Sequence, residues 1–294
     1  MINKETLTEE WIATVSRDNR RVDKILVEKV IRAMLLVEEL AKSGLSFIFK
    51  GGTSLMLLLD NVRRLSIDVD ILLDVLFESH SYRGILQRKI ESKFLNTSPE
   101  VVLVSVPSPE NLLGDKLTAF APGTTGVPYF KSGKSMSMEI MKQLYDIGTL
   151  FDVSTDLETI RSTFYKTAET EIGYRGLKGT TPADVLEDAY QTSLCLALRG
   201  ADGKGNFIEL QHGIERVSSF VFSENYHIER AILDAAKIAY LCRLIPGHEK
   251  NIETFSGVGQ IAEGVIAAPH NTKLNKLKKS NPAAFFYWWK AISL

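Results

Sequence analysis

The spacing of apolar and polar positions changes several times along the chain, and each change predicts an element. Residues 21–43 place Ile25, Leu26, Val30, Met34, Leu35, Val37 and Leu40 near helical spacing, with Gly44 as a stop, which predicts an amphipathic helix. Phe47-Ile48-Phe49, Gly51-Gly52 and residues 54–59 then read as a strand, a tight turn and a helix start. Over residues 67–75 the alternation predicts a strand with Ile67, Val69 and Ile71 on one face and Asp68 and Asp70 on the other. A third strand is expected over residues 101–106, closed by Pro107 and Pro109. A helix follows over residues 110–120, where Gly114 carries a penalty.

Residues 121–137 (APGTTGVPYFKSGKSMS) are rich in Gly, Pro, Ser and Thr and predict a loop. Beyond it helical spacing dominates: 138–151, 156–170, 182–199, 206–222, 228–244 and 284–293. The chain therefore reads as an α+β protein: a mixed-sheet domain with an N-terminal helix over residues 1–152, then a helical domain over residues 153–294, with the pattern breaking near Phe151-Asp152.

Composition narrows the function classes. Hydrophobic residues make up 45% of the 294, enough for a large core. Thirty-five Lys+Arg against 36 Asp+Glu leave a net charge of −1, so contact with nucleic acid must use a local patch. The N-terminal stretch has no apolar core behind a basic start, and no apolar run approaches membrane-spanning length; the expectation is a cytoplasmic protein with no membrane role. Cys195 and Cys242 lie in apolar helical stretches without metal spacing and read as reduced core residues. His80, His212, His227, His248 and His270 show no metal-ligand spacing either.

The chemistry concentrates in Lys50-Gly51-Gly52-Thr53-Ser54 and Arg64-Leu65-Ser66-Ile67-Asp68-Val69-Asp70. Two carboxylates two residues apart on a strand project from one face and can jointly hold divalent cations, as phosphoryl transfer requires. A Gly-Gly turn opening a helix presents unpaired backbone N–H groups, and Thr53 and Ser54 add hydroxyls, where phosphate oxygens can dock. Like charges on an otherwise apolar strand repel unless a cation compensates them, so the combination is more specific than either part. No Walker-type P-loop occurs.

The series KGGTSL, RLSIDVDILL, NLLGDKLTAFAPGTTGVPYF and KQLYDIGTLFD resembles the AbiEii/AbiGii-type toxin family of nucleotidyltransferases, MenT-like members of the polymerase-β-like superfamily. The resemblance covers residues 45–152. It implies a nucleotidyltransferase fold and a bacterial toxin of a toxin–antitoxin or phage-defence pair, with a cognate antitoxin encoded nearby. The implied reaction moves a nucleotide from an NTP to an RNA acceptor, the tRNA 3′ end, with Mg²⁺ or Mn²⁺ as cofactor and pyrophosphate as leaving group. By the same resemblance Asp68 and Asp70 are the metal ligands, Gly52 and Thr53 or Ser54 contact the phosphates, and Lys116 contacts the triphosphate; Gly51, Arg64 and Ser66, beside them in the two motifs, are further candidates for nucleotide binding. Asp146 matches the downstream acidic motif. Superfamily members usually add a third carboxylate on a later strand; residues 101–106 offer none, which leaves Glu110 or Asp146 as substitutes and the general base unassigned.

Read without the family, several positions keep two meanings. Lys116 shares its predicted helix with Leu112, Leu113, Leu117 and Phe120 and is either a solvated lysine or a site residue. Asp146 needs a partner in its apolar helix, and Lys142 is an i,i+4 candidate. Arg64 is a phosphate clamp or half of a surface ion pair, and Ser66 a hydrogen-bonding group at the bend. The aromatics at 285–289 are expected to pack into the helical core, while Lys273, Lys276, Lys278 and Lys279, with Lys131 and Lys134 in the loop, are RNA contacts or a solvated face. Two other functions compete: transfer to a protein side-chain hydroxyl, and a non-catalytic nucleotide-binding module, which would have no need of both Asp68 and Asp70.

Overall fold

The structure, a computed structural model, describes residues 1–59, 64–73 and 82–294; His80 and the end of the strand expected over 67–75 lie outside them. The chain packs as two units: Met1–Leu112 with Ser218–Asn225, and Leu113–Val217 with Tyr226–Leu294.

In the first unit, helix α1 (Glu9–Asp18) is capped by the Thr8 hydroxyl, and helix α2 (Lys24–Lys42) by the Asp23 carboxylate. Strands β1 (Phe47–Lys50), β2 (Asp70–Leu73), β3 (Ile85–Lys89) and β4 (Leu103–Pro107) form one mixed sheet in the order β2-β1-β4-β3. Strand β1 runs antiparallel to β2, with Lys50 opposite Asp70, and parallel to β4. Helix α3 (Gly51–Leu58) follows β1 directly. Val27, Ile31 and Met34 of α2 share a buried core with Phe47 and Phe49 of β1 and Val104 and Val106 of β4. Burying that apolar area is the main stabilising term, about 25 cal/mol per Å². The segment Ser218–Asn225 completes this core: Val221 bridges to Arg64, Leu65 N–H donates to Phe220 O at 3.0 Å, and the Phe222 ring stands edge-on to Phe94 at 5.5 Å.

The second unit is helical. Helix α4 (Pro109–Ala119) enters it after its first turn, and a two-residue hairpin, β5 (Phe130–Lys131) and β6 (Lys134–Ser135), follows. The loop expected over 121–137 thus contains a tight turn at Ser132-Gly133, both with left-handed φ (50° and 74°), the geometry a twisted two-residue hairpin needs. Helices α5 (Ser137–Phe151), α6 (Leu157–Arg175), α7 (Pro182–Ala197), α8 (Phe207–Val217) and α9 (Ile228–Leu244) come next, then short α10 (Asn271–Leu274) and α11 (Leu277–Ser280), and finally α12 (Pro282–Ser293). Helix α8 ends at Val217 rather than 222 because the chain from Ser218 to Asn225 packs with the first unit. Helix α9 is the centre, buried on nearly every side against α5, α7 and α12. Phe285, Phe286, Tyr287 and Trp288 are buried as expected, with Tyr287 edge-on to Phe151 at 5.1 Å and Trp288 to Tyr190 at 5.9 Å. Cys195 and Cys242 are buried free thiols. No helix among the described residues is long and apolar enough to cross a membrane.

Candidate functional site

The first unit gathers the two motifs that the sequence set apart. At the end of β1 the chain turns through Gly51, whose φ of 78° lies in the left-handed region, and enters α3 at once. The first-turn N–H groups of such a helix have no partner within it and bear the positive end of its dipole. Thr53 and Ser54 are fully buried, and their hydroxyls are used locally: Thr53 Oγ1 donates to Asp68 O at 2.6 Å and Ser54 Oγ to Gly51 O at 2.9 Å. Thr53 therefore ties the turn to the backbone of the segment that leads into β2.

Ile67, Val69 and Ile71 pack on the core, while Asp68 and Asp70 are exposed, so the alternation read from the sequence is kept, although β2 begins only at Asp70 and Asp68 lies in the extended segment that leads into it. The Asp70 carboxylate lies against Gly51: a Cβ there would stand 2.9 Å from Asp70 Cγ. Gly52 is covered in the same way, since its Cβ would stand 2.7 Å from Arg64 Nη2 and 2.8 Å from Ser66 Oγ. Two consecutive glycines thus let a carboxylate, a guanidinium and a hydroxyl close over the start of α3. Arg64 is only 7% exposed and donates through Nη1 to Leu65 O at 2.8 Å; it is a buried group, not a surface one.

Lys116 and Asp146 belong to the second unit and meet there. Lys116 Nζ lies 2.9 Å from Asp146 Oδ2, with side chains 7% and 2% exposed, and also donates to Gln143 Oε1 at 3.2 Å. Lys116 is therefore not a solvated surface lysine. Lys142 forms an ion pair with Glu139 at 3.1 Å, and the buried partner that Asp146 requires is supplied by Lys116.

Two contributors escaped the sequence reading. Gln143 completes the buried pair but looks like any polar residue on an amphipathic helix. Tyr82 lies under the Lys50 ammonium, 5.5 Å from nitrogen to ring centre, and no local pattern announces a cation–π contact across that separation.

Among the described residues no cluster of three or more His, Cys, Asp or Glu side chains forms a closed metal site. Two exposed carboxylates suit instead an ion that keeps several waters and takes substrate phosphate oxygens, the habit of Mg²⁺. Of the histidines, His212 faces Glu209 at 4.0 Å and His270 faces Asp202 at 3.5 Å.

Of the basic residues, Lys273 donates to Leu198 O at 3.3 Å, and Lys278 to Ala262 O and Gly264 O at 2.7 and 2.9 Å. Lys276, Lys279, Lys131 and Lys134 are exposed.

An α+β fold whose mixed sheet carries a Gly-Gly turn beside an Asp-x-Asp segment entering an edge of β1 is nucleotidyltransferase-like. Residues 35–94 match the family model described as nucleotidyl transferase AbiEii toxin of a Type IV TA system, which shows the resemblance read from the motifs. That segment contains every first-unit site residue from Gly51 to Asp70, and Lys116 and Asp146 lie beyond it. No curated protein and no solved structure matches the chain.

Proposed function

We propose that this protein is a metal-dependent nucleotidyltransferase toxin that moves a nucleotide from an NTP to a hydroxyl of RNA, the tRNA 3′ end, in the cytoplasm, held in check by a cognate antitoxin. The observation that carries the reading is the contact of Asp70 with Gly51, which sets a carboxylate for a cation directly beside N–H groups suited to a phosphate. In the reaction the acceptor oxygen forms a bond to the α-phosphorus, the bond from that phosphorus to the bridging oxygen of the β-phosphate breaks, and pyrophosphate leaves with the electron pair while the hydroxyl proton passes to solvent or a base. Bound Mg²⁺ or Mn²⁺ supplies charge neutralisation of the triphosphate.

In this reading Asp68 and Asp70 hold the cation, the backbone of Gly51 and Gly52 binds phosphate oxygens, and Arg64 and Ser66 fix the turn from behind. Thr53 and Ser54 act by holding the turn rigid, since both hydroxyls are already engaged. Lys116 and Asp146, which match the family's downstream motifs, form a buried ion pair within the second unit, where Asp146 keeps the ammonium oriented. The exposed Lys276, Lys279, Lys131 and Lys134 are cations available to an RNA backbone. The test is incubation of the full chain with each labelled NTP, Mg²⁺, total RNA and lysate, followed by separation of RNA from protein. Label at RNA 3′ ends is expected; label on protein alone would move the reading to a side-chain acceptor.

A further inference from the structure

The second unit contains a cavity of about 420 Å³, walled by the loop after α4, by α7 and by the loop before α8. Its volume lies within the range of small-molecule sites. Asp184, Glu187 and Asp188 line it from α7 and Lys204 from the opposite loop, a formal balance of −2 that disfavours phosphate and nucleic acid.

The three carboxylates are not equivalent. Asp184 is held in the capping box by Thr181 N–H and Oγ1 at 2.8 and 2.7 Å. Glu187 accepts from Gln191 Nε2 at 2.7 Å and has Arg243 Nη2 at 3.6 Å. Asp188 accepts from Gly123 N–H at 2.8 Å and Thr124 Oγ1 at 2.9 Å, yet among the described residues no cation lies within ion-pair distance of it. Burial pushes its carboxyl above the ordinary value, the sign of a charge that lacks a counter-ion.

A second observation is independent of charge. Thr192, fully buried, lines the same cavity, and its hydroxyl completes no hydrogen bond of normal geometry. The Tyr129 hydroxyl, set against Thr192 and the Asn206 backbone, is equally incomplete. Unsatisfied buried hydroxyls are uncommon and favour a ligand that can donate to them. Glycines keep these polar atoms uncovered, for a Cβ on Gly205 would stand 3.0 Å from Tyr129 Oη and one on Gly123 3.1 Å from Asp188 Oδ1.

We infer that this cavity binds an organic cation, an ammonium or guanidinium group on a slender stem, with Asp188 as its counter-charge and the Tyr129 and Thr192 hydroxyls accepting from it. A bare divalent ion suits the cavity poorly, because a single unpaired carboxylate and neutral hydroxyls supply too little anionic oxygen. The inference is independent of the transfer reaction. Such a group arrives either as a free amine or as a basic side chain of a peptide, and the two sources are separable.

The experiment is calorimetric titration of the full chain with agmatine and, separately, with a blocked arginine peptide, using a neutral urea analogue as control. Binding on the order of 1 mM or tighter is expected for at least one cation and not for the urea. Agmatine alone would identify a free amine, and the peptide a partner's side chain; both uphold a cation site. Asp188→Asn should weaken binding about tenfold or more, whereas Lys204→Gln, at an exposed position that leaves the fold intact, should strengthen it about twofold by removing a competing charge. Absence of binding by either probe, equal binding of the urea, undiminished affinity in folded Asp188→Asn, or unchanged or weaker affinity in Lys204→Gln would overturn the assignment.

Discussion

Gly51 and Asp70 share one space: the carboxylate occupies the position that a side chain on the glycine would take. Gly51→Ala must therefore both displace Asp70 and hold alanine at a φ of 78°. The backbone strain alone is worth about 1–2 kcal/mol. A lower melting temperature and a transfer rate reduced about tenfold or more are expected, checked by thermal denaturation and initial rates. A fully active, fully stable variant would remove this contact from the site.

Because Asp68 and Asp70 are exposed, their amides should be tolerated by the fold but not by the chemistry. Asp68→Asn and Asp70→Asn are each expected to slow nucleotide transfer about a hundredfold or more with an unchanged circular dichroism spectrum. Chelation should abolish activity and Mg²⁺ or Mn²⁺ restore it.

The pair Lys116–Asp146 calls for a cycle rather than a single variant. Removing one member leaves the other charge buried, and Lys116→Ala or Asp146→Ala is expected to lose about 3–5 kcal/mol of stability. The double variant Lys116→Met with Asp146→Leu should recover much of that in denaturant titrations while remaining inactive. Recovery of activity along with stability would reduce the pair to scaffolding. Lys142→Ala, which breaks a partly exposed pair with Glu139, should be mild in both respects.

Alkaline pH provides a probe confined to the helical unit. Burial raises the phenol of Tyr240 from 10.0 to about 12, and those of Tyr129, Tyr190, Tyr226 and Tyr287 move in the same direction. A raised phenol means that the fold prefers the neutral form, so the stability it contributes is complete below pH 10 and is lost as pH climbs through about 12. Tyrosinate absorbance and helix content should therefore change together in this window. Ionisation of these rings near pH 10 without loss of helix would contradict their packing.

If RNA is the acceptor, Lys276→Gln with Lys279→Gln, or Lys131→Gln with Lys134→Gln, should weaken RNA binding and flatten its dependence on salt by about one unit of slope per lost phosphate contact. NTP binding should survive. Lys273 and Lys278 are poorer choices, since both hold backbone carbonyls and their loss would perturb the C-terminal helices.

What the sequence disclosed depended on whether the signal was local. Helices α2, α5, α7 and α9 bury one face or more, so their apolar spacing is written into consecutive residues. The acidic strand was legible for the same reason, with Ile67, Val69 and Ile71 turned to the core. Strand β3 was not, because among the described residues it pairs with β4 alone and lies mostly in solvent, so Ile85–Lys89 shows no apolar face. Helix α1 was hidden by its charged start; it is fixed by the Thr8 cap and by Ile12 and Val15. Gly51, Gly52 and Asp70 were visible as residue types, but their mutual fit was not. The Lys116–Asp146 pair joins two helices, and sequence spacing along α5 pointed instead to Lys142.

The return of Ser218–Asn225 to the first unit's core also sets a timetable for synthesis. A nascent chain that has emerged only as far as Leu112 has its Asp-x-Asp strand but lacks Val221 beside Arg64 and Phe222 against Phe94. At about 5–20 residues per second, the further hundred or so residues take on the order of 5–20 s to translate. Throughout that delay the Gly-Gly turn stands without its final support. The ribosome thus withholds a finished first unit until most of the polypeptide has been made.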